Sequence, residues 1–375
     1  MNVIVNGRAR HYRTVSFNAV TNSVLLIEQR LLPHEFKVVA MLDFRESAAG
    51  IKDMIVRGAG AIGATAAYGL AQGARAFRGS NLKKFQLHVQ QVYQVLKSAR
   101  PTAVDPVNAM DDVSRAMRAG ETVEEQQALA LAAAEEFANA NVEHCRDIGR
   151  HGARLIRNGM NVLTHCNAGW LAFVDFGSAT APMYEAQRLG KKFHVYCDET
   201  RPRSQGATLT AWELAQQKVS HQVIADNAAG HLMQRGKIDL IIVGSDRILG
   251  RTGEVANKIG TYTKAVLAHR HGIPFYVAIP LSTLDWTLRS GMKIPIEERD
   301  ESEVLGAWGT VQKPHSGRGS SGKRAYVRIA NPSSGACNPG FDVTPAELIT
   351  GIITPAGIFK PKELWARRRE LGWTR

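Results

Sequence analysis

After Gly159 the chain alternates between short apolar runs and helical stretches, and this alternation constrains its fold more than any other feature. The runs are NVLTH (161–165), FHVYC (193–197), QVIA (222–225), IDLIIVG (238–244) and PFYVAI (274–279), all rich in Val, Ile or aromatics. Helical patterns at about 177–190, 206–218, 227–236 and 256–271 lie between them. Strand and helix in strict succession form βαβ units, so an α/β chain with a parallel sheet covered by helices on both faces is expected. Ligands of such sheets bind beyond the carboxyl ends of the strands. Those ends carry Cys166-Asn167, Asp198-Glu199-Thr200-Arg201, Asp226-Asn227 and Ser245-Asp246, more polar and ionisable groups than turn chemistry alone requires.

The part before Gly159 reads differently. Residues 1–32 suggest short strands with an Asn6-Gly7 turn. Residues 45–156 are helical in pattern, with Pro101 and Pro106 ending one helix and starting another.

Composition narrows the partners. A chain of 375 residues with 44% hydrophobic residues can bury a full core, and no apolar run approaches the roughly 18 residues of a membrane span. The start, MNVIVNGRARHY, shows no secretory pattern. Four cysteines (Cys145, Cys166, Cys197, Cys337) without CxxC spacing suit reduced thiols in the cytoplasm better than zinc or disulfides. The net charge of +13 is concentrated in a Gly/Ser-rich loop at 313–328 and a tail at 360–375, expected to be helical. No aromatic ladder accompanies the charge, so a solvated basic surface fits better than a nucleic-acid site.

Individual motifs are weak. RGAGAIG (57–63) lacks the strand-first context of a dinucleotide fingerprint. Its Arg and glycines before a helix suit an anion site, or equally tight helix packing. Cys166 is either a thiol activated at a helix start or a small buried hydrophobe. Asp246 is either an acid raised by burial or a helix cap or partner for Arg247. Gln205, Asn257 and Lys258 stand near helix starts, and His165, Glu199, Asp226 and His231 are supporting polar candidates.

Together these segments carry more. LLPHEF (31–36), RGAGAIG (57–63), RPTAVDP (100–106), LTHCNAG (163–169), DETRPRSQGATLTAWEL (198–214), DNAAGHLMQ (226–234), VGSDRI (243–248), VANKIGTY (255–262), IPIEER (294–299) and FDVTPAELITGIIT (341–354) occur in one order over about residues 24–358. In them the chain resembles the methylthioribose-1-phosphate isomerase family, which is related to regulatory subunits of an initiation-factor exchange complex. The resemblance implies a Rossmann-like C-terminal domain (131–375) behind a smaller mixed strand and helix domain (1–130), a homodimer, and an aldose–ketose isomerase needing no cofactor or metal. It implies Cys166 as the catalytic cysteine and Asp246 as the proton donor. It implies Arg57, Gly58, Ala59, Arg100, Gln205, Asn257 and Lys258 as contacts to a sugar phosphate. Gly60, Trp170, Asp175 and Phe176 depart from the family's pattern, as do one extra residue in 249–253 and an insertion over about 314–338. They leave open whether the sugar's 5-position carries methylthio or a bare methyl.

Overall fold

The structure, a computed structural model, describes residues 1–101, 104–311 and 322–373. Within the apolar runs successive side chains point to opposite faces, as the pleat of a strand requires. Val162, Leu240 and Ile242 enter one buried cluster, while Leu163, Ile241 and Val243 enter another on the far face. Both faces are therefore dry, which is why these strands read as apolar throughout rather than alternating.

The resulting sheet has seven strands. In spatial order they are Gly357–Phe359, Gly351–Thr354, Phe275–Ala278, Leu240–Val243, Asn161–Thr164, His194–Asp198 and His221–Ile224. All neighbours are parallel except Gly357–Phe359, which returns antiparallel at the edge. The chain enters at 161–164, steps outward twice in one direction, then crosses to 240–243 and builds the other way. The reversal places the topological switch point between Asn161–Thr164 and Leu240–Val243, where doubly wound sheets open a crevice.

The N-terminal part is as expected in kind. Asn2–Val5 and Arg8–His11 form a hairpin through Asn6 and Gly7, both at positive φ (50° and 75°). Such a turn matches the strands' twist. A three-stranded sheet follows, then five helices: Phe44–Lys52, Ala59–Ala76, Leu82–Ser98, Asp105–Met117 and Val123–Gly152. Ala59–Ala76 is mostly Ala and Gly over its buried length, so its neighbours approach closely and the helix forms the centre of a third core cluster. Val123–Gly152 starts on a Thr122–Glu125 capping box and runs through residue 130, carrying the chain from this core to the sheet.

Several expectations need correction. Residues 255–258 are a strand, not part of a helix: Asn257 and Lys258 pair antiparallel with Asp342 and Phe341, and the helix begins at Thr261 behind a left-handed Gly260. This strand belongs to a second, four-stranded sheet that the sequence did not suggest. The segment 206–218 opens with a π-helical turn, Gly206–Thr210. The basic loop is partly strand, since Arg324–Arg328 pairs with Gly306–Thr310; residues 312–321 of it lie outside the described residues. Among the described residues the tail has only a short 3-10 turn at Pro361–Glu363, and Arg368 stacks on Trp365 and Trp373. Among the described residues no helix is long and apolar enough to cross a membrane.

Candidate active site

The crevice at the switch point is a cavity roofed by the N-terminal helices. Cys166, Asp246, Arg57, Gly58, Ala59, Arg100, Gln205, Asn257 and Lys258 all line it, although they come from six separate stretches of chain. His165 lines it too, whereas Glu199, Asp226 and His231 do not. Trp170, Asp175 and Phe176, the unusual residues after the cysteine, do not reach it either: Trp170 is fully buried against Trp212.

Cys166 follows Asn161–Thr164 with φ at +64°, a left-handed conformation that costs a side-chain-bearing residue energy and is kept where the surroundings over-determine it. Here two threonines do so. The Cys166 N–H donates to Thr200 Oγ1 at 2.8 Å, and Thr210 Oγ1 donates to the Cys166 carbonyl at 2.6 Å. Thr210 belongs to the π-helical turn, an irregularity common at functional sites.

Below the thiol lies Glu213, buried completely. Its carboxylate accepts hydrogen bonds from Asn167 Nδ2, the Trp170 and Leu171 N–H groups and Tyr184 Oη, at 2.9–3.0 Å. Burial pushes its pKa up, and these four donors oppose the shift. Gly169 makes the approach possible, for a Cβ there would fall 1.7 Å from Glu213 Oε2. Asn167, so held, accepts from Arg57 Nη1 (2.5 Å) and, through its carbonyl, from Arg57 Nη2 (2.8 Å). Glu213 was not among the residues singled out in the sequence; it is one polar position inside an amphipathic helix.

Gly58 has no freedom to be another residue. Its φ is +93°, and a Cβ would sit 2.5 Å from Ala172 Cα. It turns the chain into Ala59–Ala76, whose first N–H groups and the Arg57 guanidinium meet at the cavity. On the opposite wall Lys258 Nζ donates to the Gly340 carbonyl at 2.8 Å and lies over the Phe341 ring. Burial lowers the pKa of both Lys258 and Arg57, with neighbouring cations adding to the effect. An alternating chain of charges completes the rim: Arg203–Glu303 (2.9 Å), Glu303–Arg299 (2.6 Å), Arg299–Glu297 (3.0 Å) and Glu297–Arg100 (3.4 Å).

Asp246 presents its carboxyl to the cavity, with its N–H bonded to the Ala256 carbonyl. Water reaches the group, but protein encloses the cavity, and the loss of bulk solvent raises its pKa. Arg100, Arg247 and Lys258 pull it back down, and Glu297 pushes it up. The site thus joins a thiol, a carboxyl of raised pKa and an excess of cations, suited to acid–base work on a bound anion.

His165, Asp198 and Asp226 each bring a potential metal-ligand atom within 4.8 Å of the others. Most of their atoms are already engaged: Asp198 Oδ2 meets His165 Nδ1 (2.8 Å) and Lys264 Nζ (3.1 Å), and Asp226 accepts from the Thr200 and Arg201 N–H groups, while Asp198 Oδ1 is buried without a donor. The cluster reads as a support for the loops behind Cys166 rather than a cation cage.

This architecture is that of a known class: the initiation factor 2 subunit family matches residues 55–361. A methylthioribose-1-phosphate isomerase of Sinorhizobium medicae is 49% identical, over 93% of this chain and 94% of the relative; one of Brucella anthropi is 48% identical over 94% and 95%. The crystal structure of 5-methylthioribose 1-phosphate isomerase from Pyrococcus horikoshii superposes with a TM-score of 0.84 at 40% identity, covering 96% of both chains. A structure described as translation initiation factor eIF-2B, subunit delta, from A. fulgidus gives 0.81 at 37%, covering 97% of this chain and all of that one. The chain belongs to the initiation factor 2 subunit family and, within it, to the methylthioribose-1-phosphate isomerases.

Proposed function

We propose that the protein converts 5-methylthioribose 1-phosphate to 5-methylthioribulose 1-phosphate, a step of methionine salvage. The observation that carries this reading is the convergence of the thiol, the carboxyl and the cations on one cavity, in a chain nearly half identical to relatives named for that reaction.

An aldose 1-phosphate cannot open its ring by simple equilibration, because its anomeric oxygen is esterified. Arg57, Arg100 and Lys258, with the N–H groups of the Gly58–Ala59 turn, hold the phosphate dianion and so fix the sugar. Asp246, whose protonated form its enclosure favours, donates to the ring oxygen as the C1–O4 bond breaks. Hydrogen then moves from C2 to C1. In one route Cys166 takes it as a proton through an enolate-like species; in the other it migrates as hydride while Cys166 stabilises the developing charge. Either route asks only for groups the chain supplies. We also read the chain as a cytoplasmic homodimer that binds no nucleic acid, with sedimentation at micromolar concentration as the check on the dimer.

The departures after Cys166 lie off the cavity, which favours the methylthio substituent over 5-deoxyribose 1-phosphate. Purified protein given 5-methylthioribose 1-phosphate, 5-deoxyribose 1-phosphate and ribose 1,5-bisphosphate, with ketose formation followed by phosphorus NMR, ranks the three. Preference for the bisphosphate overturns the assignment. A protein-binding regulatory role, suggested by the name of the A. fulgidus structure, predicts no turnover of any of them.

A further inference from the structure

Two oxygens in the cavity-lining residues are buried without a hydrogen-bond donor, Gln205 Oε1 and Asp105 Oδ1. Gln205 was expected at the substrate. Asp105 was not; it stood unremarked inside RPTAVDP. It is 4% exposed and is the first residue of the helix Asp105–Met117. An acid at this first helical position ordinarily serves the unpaired N–H groups of the first turn. Asp105 does not, for Oδ1 accepts from nothing, and its side-chain partner is the Ser282 hydroxyl. Gly63 packs beside it: a Cβ on Gly63 would stand 3.3 Å from the Phe137 ring and 3.4 Å from Asp105 Cβ.

An unpaired buried acceptor weakens a fold, and it persists where something else needs it. The cavity's other charged groups are mainly cations, which suit phosphate oxygens. A pentose phosphate also brings donors, and these are its ring hydroxyls. We propose that Asp105 is a substrate-binding residue whose Oδ1 accepts a hydrogen bond from a hydroxyl of the pentose, beside Gln205 Oε1. This deepens the isomerase reading and rests on it.

The ionisation of Asp105 supports the assignment. Burial, reinforced by the nearby Asp246 carboxyl and opposed by the Ser282 hydrogen bond, raises its pKa to about 6. Above that value the group is a charged acceptor, the stronger partner for a hydroxyl. Below it, a proton occupies the carboxyl and the contact weakens. The sign for stability follows the same shift. The raised pKa makes Asp105 least costly to the fold when protonated, and that advantage is lost as pH rises from about 4 through about 6.

The full-length protein tests this with Asp105→Ala and Asp105→Asn. At pH 8 the alanine variant should lose about 10- to 100-fold in kcat/KM on 5-methylthioribose 1-phosphate, as expected for a hydrogen bond to a charged group, and asparagine should recover part of it. Both variants should melt no lower than the wild type, and Asp105→Asn should gain on it as pH rises from 4 to 7. As inhibitors, one of the 2-deoxy and 3-deoxy analogues should bind wild type and Asp105→Ala within twofold, since its donor is already missing. Unchanged kcat/KM in Asp105→Ala overturns the proposal. So does a lower melting temperature that accounts for the loss, or equal loss of affinity for both analogues. If the wild type makes no ketose, the isomerase reading fails on its own. Calorimetry of ribose 1-phosphate against wild type and Asp105→Ala then still decides the contact, and equal affinities overturn it.

Discussion

Leu163 and Ile241 face each other in register on adjacent parallel strands, and the chain past each delivers one half of the proposed chemistry. Three residues beyond Leu163 stands the thiol of Cys166; five beyond Ile241 stands the carboxyl of Asp246. Neighbouring strands that part at a switch point leave room between their ends for one small molecule, and both side chains line that room. The proposed catalytic pair is therefore brought together by strand order.

Removal of either group should abolish turnover without unfolding the protein. Cys166→Ser and Asp246→Asn are near-isosteric, and neither side chain is the anchor of its loop: the Cys166 backbone, not its sulfur, holds Thr200 and Thr210. We expect kcat to fall by roughly 1,000-fold or more, with melting temperature unchanged, as when a group acting chiefly on the transition state is lost. Retention of a tenth of the wild-type rate by either variant would sink the proposed roles.

Gly58→Ala should damage the fold and the anion turn together. The new Cβ combines a disfavoured φ of +93° with a 2.5 Å overlap on the Ala172 backbone, which has no flexible end to move aside. A loss of about 2–4 kcal/mol in urea unfolding is expected. Because Arg57 precedes the turn, KM should rise by more than kcat falls.

Much of this was readable beforehand, and the rest was hidden for identifiable reasons. Apolar runs at 161–165 and 238–244 announced parallel strands because both faces are buried, and the polar residues at their ends announced the crevice. Asn257 and Lys258 were read into a helix because Val255–Lys258 is too short to show a two-residue period; its pairing with Phe341–Thr344 is a contact between distant segments. The Arg324–Arg328 strand was obscured by the glycines and serines before it. Glu213 and Asp105 went unnoticed because a single acid in a helical pattern looks like a solvated one. Only the tertiary surroundings, donors around Glu213 and none at Asp105 Oδ1, separate their roles.

Glu213→Gln should be far from conservative. Both oxygens of Glu213 accept hydrogen bonds, so an amide must turn its NH2 toward N–H or O–H donors already aimed there. Repulsion and lost acceptance together should cost about 3–5 kcal/mol in chemical denaturation, and Glu213→Ala a similar amount through orphaned donors. The surviving protein should bind sugar phosphate poorly, since Asn167 would no longer hold Arg57. A stable, fully active Glu213→Gln would show that the network is dispensable.

The alkaline limb of the rate profile offers a test of Asp246 with a definite sign. In the proposed mechanism Asp246 works protonated, so activity is lost as pH rises through its pKa. Enclosure raises that pKa first of all; Arg100, Arg247 and Lys258 lower it, and Glu297 raises it. Glu297→Gln removes a negative charge, which makes ionising Asp246 easier and lowers its pKa. The alkaline limb of kcat/KM should therefore move to lower pH. Arg100, released from its 3.4 Å contact with Glu297, should also bind phosphate more freely and lower KM. A control with the same change of charge, Glu298→Gln, lies outside the cavity lining and should leave the limb in place. If Glu297→Gln left the limb in place or moved it to higher pH, the group titrating there would not be the one whose pKa Glu297 raises, and the acid in the mechanism would have to be reassigned.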